Sequence, residues 1–259
     1  MQTQNTVVVV EAGAMVTEIE STKSIEPLSD ARYSEIGEEF NRDGSALIQQ
    51  VFTPEDVQAL RDRTDDYFHR RDDIPKRFAS YALNAFVLRN CAELDPLYAS
   101  VLEHPIVKGL ATTVLGPDPR FNALNVIRNE PGTAINVWHV DDVLELPLPD
   151  DIPRFDARIR LPVFWFTIQV ALSDIDSIEH GPTQYVPTSH YSGRRPISQD
   201  NPRFEEFGPK EIYCKAGDVY LTNHQTWHRG APNTSDRTRY VMQLQFAQRW
   251  ADARFRGMA

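Results

Sequence analysis

Residues 136–142, Asn136-Val137-Trp138-His139-Val140-Asp141-Asp142, place a histidine and a carboxylate two positions apart inside an apolar run. Side chains at i and i+2 of a strand leave the same face of the sheet. If 135–141 is extended, His139 and Asp141 project together while Trp138 and Val140 pack on the other side. An imidazole and a carboxylate on one face make up two thirds of the facial triad that holds non-haem Fe(II) and leaves positions open for substrate and oxygen. A His-x-Asp pair also arises wherever an exposed charge sits beside an ordinary hydrogen-bonded histidine, so the reading depends on the rest of the chain.

Outward from that stretch, residues 216–240 contain a Gly217-Asp218 turn, a short apolar strand, His224 and His228, a Gly/Pro/Asn/Ser cluster, and a second strand led in by Arg237 and Arg239. Between the two segments lies Gly181-Pro182-Thr183-Gln184-Tyr185-Val186-Pro187-Thr188-Ser189-His190. Together these three motifs, in this order, resemble the phytanoyl-CoA dioxygenase family of Fe(II)- and 2-oxoglutarate-dependent oxygenases. The resemblance runs from about Phe40 to the C-terminus.

It implies a mainly β fold with flanking helices, a double-stranded β-helix (a cupin-like jelly-roll barrel) with iron at its mouth. It also implies His139, Asp141 and His228 as iron ligands. Two further coordination positions then go to 2-oxoglutarate and the last to O2, with succinate and CO2 released as the substrate is hydroxylated. The far carboxylate of 2-oxoglutarate needs a buried cation, for which the planar guanidinium fork is suited. Arg239 stands at the family's position and shares a strand face with Val241, Gln243 and Gln245, whereas Arg237 sits nearer the turn, solvated or paired with Asp236. Gly230 stands where the family often has a serine that assists this carboxylate, so another hydroxyl must serve, with Thr183 and Tyr185 as candidates. Gln169 occupies a place where relatives touch the co-substrate, and Thr188 one where they often have glycine.

Other readings of the same residues are weaker. His224 and His228 form His-x-x-x-His, but a zinc hydrolase needs that spacing on a helix with Glu after the first histidine, and Gln225 stands there after a strand-like run. Halogenating relatives carry Ala or Gly at the Asp141 position, whereas this chain keeps the carboxylate, so halogenation is not expected. His180 and His190 read as hydrogen-bonded structural residues, and His69 and His104 as surface histidines. Trp138, Trp165 and Phe166 read as core before pocket wall.

With 259 residues and 41% hydrophobic content, one domain is expected over 30–259, burying about three quarters of its unfolded surface. The −10 charge argues against nucleic-acid or anionic-membrane partners, which need clustered Lys and Arg. Cys91 and Cys214 are too few for a disulfide framework, suit a reducing compartment and should be inert. No run reaches the roughly twenty apolar residues of a membrane span, and Val7 to Val10 is too short for a signal peptide. A cytoplasmic location is expected.

Residues 1–29 read as a mobile tail or loosely docked arm. Helices are predicted over 31–42, from Thr53-Pro54-Glu55-Asp56 with Val57, Leu60, Tyr67 and Phe68 buried, and over 95–103 and 105–115 up to Gly116. Strands are predicted over 45–51, 121–128, 134–139, 161–172, 184–186, 211–215, 218–221 and 238–247. The proline-rich, acidic segment 143–160 leaves from the metal-binding strand and is expected to form a flexible lid, its charge suiting a neutral or cationic small-molecule substrate. The reaction expected is hydroxylation of a small metabolite or natural-product intermediate. Desaturation, cyclisation or epimerisation on the same iron is the alternative, and a non-catalytic jelly roll that binds a small ligand or metal is the alternative from another class.

Overall fold

The computed structural model describes residues 26–82, 85–132, 137–141 and 143–251. Positions 1–25 of the expected tail, and residues 134–136 of the strand expected before His139, lie outside the described residues.

Capping chemistry sets the first helices. Ser29 accepts from the Arg32 N–H and opens α1 (Asp30–Asp43), which closes on Gly44 at φ 81° with the Gly44 N–H donated to Phe40 O. That left-handed turn suits glycine and feeds strand β1 (Ser45–Ile48). Thr53 and Asp56 form a reciprocal capping box at the start of α2 (Pro54–His69), where the sequence predicts one. Val57 and Leu60 are buried on α2, whereas Tyr67 and Phe68 are only partly covered. Two strands follow that were not anticipated, β2 (Ala79–Ala82) and β3 (Ala85–Leu88). Every residue of β3 is buried, so it lacks the polar alternation that marks a half-exposed strand. The helix predicted over 95–103 is α4 (Pro96–Ser100) continued by a 3-10 turn, preceded by a single turn, α3 (Cys91–Leu94). Helix α5 (Pro105–Leu115) stops at Gly116 as predicted.

The remaining strands are β4 (Pro119–Asn129), β5 (Trp165–Ala171), β6 (Thr183–Tyr185), β7 (Lys210–Ile212), β8 (Val219–Asn223), β9 (His228–Gly230) and β10 (Arg239–Gln248). They form a seven-stranded sheet in the order β1-β8-β5-β10-β4-β3-β2 and a three-stranded sheet in the order β7-β6-β9. Every pairing is antiparallel. The sheets pack face to face through Ala171, Tyr220 and Val241 of the large one and Ile212 of the small one. This is the expected jelly-roll class. The seams carry isolated bridges, His139 with His228 and Ile175 with Cys214, in place of a continuous closed barrel.

Alternation along the strands decides which side chains reach the site. On β10, Tyr240, Met242, Leu244 and Phe246 join the helix-covered core, while Arg239, Val241, Gln243 and Gln245 line a cavity on the opposite face. On β5, Phe166, Ile168 and Val170 face the helices, and Thr167 and Gln169 face the cavity. Phe40 of α1 is fully buried and meets Phe166 edge-on with ring centroids 5.7 Å apart. Phe40→Ala should therefore lower unfolding free energy by about 3–5 kcal/mol, read as a reduced urea midpoint at unchanged slope.

His104 corrects the surface reading. It is 7% exposed, with its ring stacked obliquely on Phe52, and burial holds its pKa down. A histidine at a helix start gives no local sign of what covers it. Both cysteines are buried and free, and burial raises each thiol, that of Cys214 up to about 12, in keeping with inertness. Among the described residues no helix is long and apolar enough to cross a membrane.

Candidate metal centre

The seam between the sheets brings the sequence-predicted ligands together. His139 and His228 exchange backbone hydrogen bonds, each N–H donating to the other's carbonyl at 3.0 Å, and the Asp141 N–H donates to His224 O at 2.9 Å. Trp138 and Val140 point away into a second core with Val186, Tyr191 and Trp227, as the i, i+2 pattern requires. His139 and Asp141 are left on the cavity side. His139 Nε2 lies 3.5 Å from Asp141 Oδ1, and His228 Nε2 lies 3.6 Å from Asp141 Oδ2. One ligand atom from each of the three residues falls within 4.8 Å of the others, a spacing that a single cation can bridge.

The imidazoles are oriented for this. His139 Nδ1 is 2.7 Å from Val137 O and His228 Nδ1 is 2.8 Å from Thr226 O. A carbonyl can only accept, so Nδ1 carries a proton in both rings and Nε2 is the nitrogen left on the Asp141 side for a metal. Burial pushes the Asp141 carboxyl up, but the charges of His228 and His224 and the hydrogen bond and charge of His139 outweigh it and hold the group well below the usual carboxylate range. Burial also lowers His228, with Asp141 opposing. For His139 the hydrogen bond and charge of Asp141 overcome burial, and its pKa is raised. Two nitrogens and one anionic oxygen, with no thiolate among them, fit Fe(II).

His224 belongs to this neighbourhood too. It is 1% exposed, its Nε2 lies 3.6 Å from Asp141 Oδ2 and 2.6 Å from Thr167 Oγ1, and its ring meets Trp165 edge-on. It follows strand β8 and is not helical, so the zinc-hydrolase geometry is absent here. The only hint in the sequence was its place directly after a buried strand.

The triad opens on a cavity of about 190 Å³ that also takes in Gln169, Thr183 and Arg239. Arg239 is 9% exposed and donates from Nη2 to Thr183 Oγ1 at 3.3 Å. Its Nε is buried with no hydrogen-bond partner, and among the described residues no carboxylate pairs with it. A buried guanidinium with an unused donor is the arrangement that a ligand carboxylate completes. Of the two hydroxyls considered from sequence, Thr183 touches Arg239, while Tyr185 packs against the apolar cluster between the two sheets. Arg237 lies outside, near Asp176 at 3.5 Å and against His180, and not paired with Asp236. Phe166 faces the helix-covered core and Trp165 backs His224, so neither is a pocket wall. Thr188, in the place of a common glycine, adopts the left-handed φ of 62° that a glycine there would favour.

Segment 143–160 has no helix or strand among its described residues and does not line this cavity. Arg194 fastens it, donating to the carbonyls of Pro149 at 2.7 Å, Ile152 at 2.6 Å and Pro153 at 3.0 Å.

The family model of phytanoyl-CoA dioxygenase (PhyH) matches residues 40–241. The chain belongs to this family. By family it is thus a non-haem iron, 2-oxoglutarate-dependent dioxygenase. It is 24% identical over 234 residues to the uncharacterized protein Rv1501 of Mycobacterium tuberculosis, covering 89% of this chain and 78% of that protein. Its fold is similar to that of SnoN, a non-heme alpha ketoglutarate dependent epimerase from nogalamycin biosynthesis, with TM-score 0.67 and 16% identity over 85% of this chain and 84% of that one. It is also similar to HygX from Streptomyces hygroscopicus, solved with nickel and 2-oxoglutarate bound, with TM-score 0.66 and 17% identity over 87% of this chain and 89% of that one. At such identities the structural likeness is one of fold.

Proposed function

We propose that this dioxygenase-family chain hydroxylates a small organic molecule, with His139, Asp141 and His228 as Fe(II) ligands, and Arg239, held by Thr183, as the binder of the distal carboxylate of 2-oxoglutarate. The observation that carries the reading is the buried Arg239 guanidinium lining the same cavity as three converging metal-ligand atoms. Bound there, iron and 2-oxoglutarate supply the oxidising chemistry, with O2 consumed and succinate and CO2 released.

The residues have separable tasks. Asp141 provides the anionic donor, and the carbonyls of Val137 and Thr226 hold the two imidazoles in the tautomer that binds metal. Gln169 lines the same cavity, hydrogen-bonded to Thr222 and Gln243, which supports its reading as a co-substrate contact. Thr167, Gln243 and Gln245 give the lining hydroxyl and amide character. Among the described lining residues Asp141 is the one carboxylate and is taken up by the metal, while Arg229 donates to Gln184, which suits a neutral, hydrogen-bonding substrate. HygX and SnoN have been solved with hygromycin B and with a nogalamycin compound, which supports looking first among natural-product intermediates.

The deciding experiment is an anaerobic titration of the apoprotein with Fe(II) and 2-oxoglutarate, watched for the visible metal-to-ligand charge-transfer band. A band that needs both components supports the assignment. Folded, metal-loaded protein without a band sinks it and leaves a ligand-binding jelly roll. Incorporation of ¹⁸O from O2 into product then separates hydroxylation from desaturation or epimerisation.

A further inference from the structure

Five buried polar side chains between the two sheets are wired in one direction. Arg239 Nη2 donates to Thr183 Oγ1 at 3.3 Å, and Thr183 Oγ1 lies 2.9 Å from Tyr220 Oη. Tyr220 Oη donates to Gln169 Oε1 at 3.0 Å, and Gln169 Nε2 donates to Thr222 Oγ1 at 3.1 Å. A guanidinium only donates and an amide oxygen only accepts. Thr183 therefore accepts from Arg239, and the Tyr220 proton goes to Gln169. What remains for the middle contact is the Thr183 proton, donated to Tyr220. The donor sense runs from Arg239 to Thr222 without reversal.

Each of the five residues is less than a tenth exposed, and Tyr220 is 1% exposed. Burial pushes the Tyr220 hydroxyl up to about 12 against the opposing charge of Arg239, so it keeps its proton at neutral pH. In such surroundings a broken link leaves its neighbours unpaired and free to turn. Tyr220 and Gln169 face each other across the β8–β5 pairing, whereas Thr183 belongs to the other sheet. The Tyr220 hydroxyl thus joins the two walls of the cavity.

We infer that Tyr220 is a positioning residue of the co-substrate pocket, whose hydroxyl locks Thr183 and Gln169 in the rotamers that keep the Arg239 fork directed at a carboxylate. This rests on the proposed function, since it presumes that 2-oxoglutarate is what Arg239 receives. Tyr220 touches no reacting atom. It acts through Thr183 and Gln169.

The test is the anaerobic 2-oxoglutarate titration of Fe(II)-loaded protein, read by the charge-transfer band, for the native chain, Tyr220→Phe, Thr183→Val and the double variant. Tyr220→Phe keeps the ring and its packing. It should raise the half-saturating 2-oxoglutarate concentration about tenfold, the worth of one well-placed buried hydrogen bond, with Fe(II) affinity in the absence of 2-oxoglutarate unchanged. Thr183→Val should do the same, and the double variant should add little, because both break one chain. A folded Tyr220→Phe that saturates at the native concentration overturns the inference while the native band still upholds the cofactor assignment. No band in the native chain overturns both. Should Tyr220→Phe not fold, Thr183→Ser against Thr183→Val decides: native half-saturation only with serine supports the chain, and equal values for the two refute it.

Discussion

Arg239→Lys is expected to raise the 2-oxoglutarate concentration for half-formation of the charge-transfer band about thirtyfold, while leaving Fe(II) binding in place. Lysine keeps the positive charge but replaces a planar fork by a single ammonium, so the paired, parallel hydrogen bonds to a carboxylate are lost. Exchanging one charge-assisted bond for a looser contact costs about 2 kcal/mol, which is the thirtyfold. Nη2 of the native side chain is engaged with Thr183 and Nε is buried and unpaired, so the fork is held ready in the absence of ligand. Arg239→Ala should cost more, since the guanidinium beside Thr183 would be lost altogether. Under the alternative of a jelly roll that turns nothing over, 2-oxoglutarate would not register in either variant. Unchanged half-saturation in folded Arg239→Lys would remove Arg239 from the site.

His228→Ala carries the second large effect, a loss of Fe(II) affinity greater than about 100-fold, measured by competition with a chelating dye. Losing a hydrogen-bond partner behind a metal-bound histidine already costs about 10–100-fold, and here one of three donors goes. His224→Ala is the informative control. Its imidazole lies as near the Asp141 carboxylate as that of His228, both at 3.6 Å, yet it is not among the three residues whose donor atoms converge. Its removal should spare most Fe(II) affinity. If His224→Ala abolishes Fe(II) binding and His228→Ala does not, the ligand set must be redrawn around His224.

Much of this was readable without coordinates, for local reasons. A capping box is written in four consecutive residues, so Thr53 and Asp56 announced α2. A period of two is written along a single strand, so the shared face of Arg239, Val241, Gln243 and Gln245 and the opposed burial of Trp138 and Val140 followed from β geometry. The pairing of His139 with Asp141 followed from their spacing once the segment was read as extended, and the resemblance of three motifs pointed to His228, Arg239, Gln169 and Thr183.

Lateral neighbours were another matter, because they depend on register between strands far apart in the chain, and no local pattern encodes register partners. The bridge that sets His139 opposite His228, the approach of His224 to Asp141, and the choice of Thr183 over Tyr185 beside Arg239 were all decided by how two sheets meet. The same holds for His104, covered by Phe52, and for segment 143–160, fastened by an arginine well downstream. The sequence by itself determined which side chains could hold a metal and a carboxylate. Only the tertiary structure decided which of them share one cavity, because that is settled by contacts between residues the chain keeps far apart.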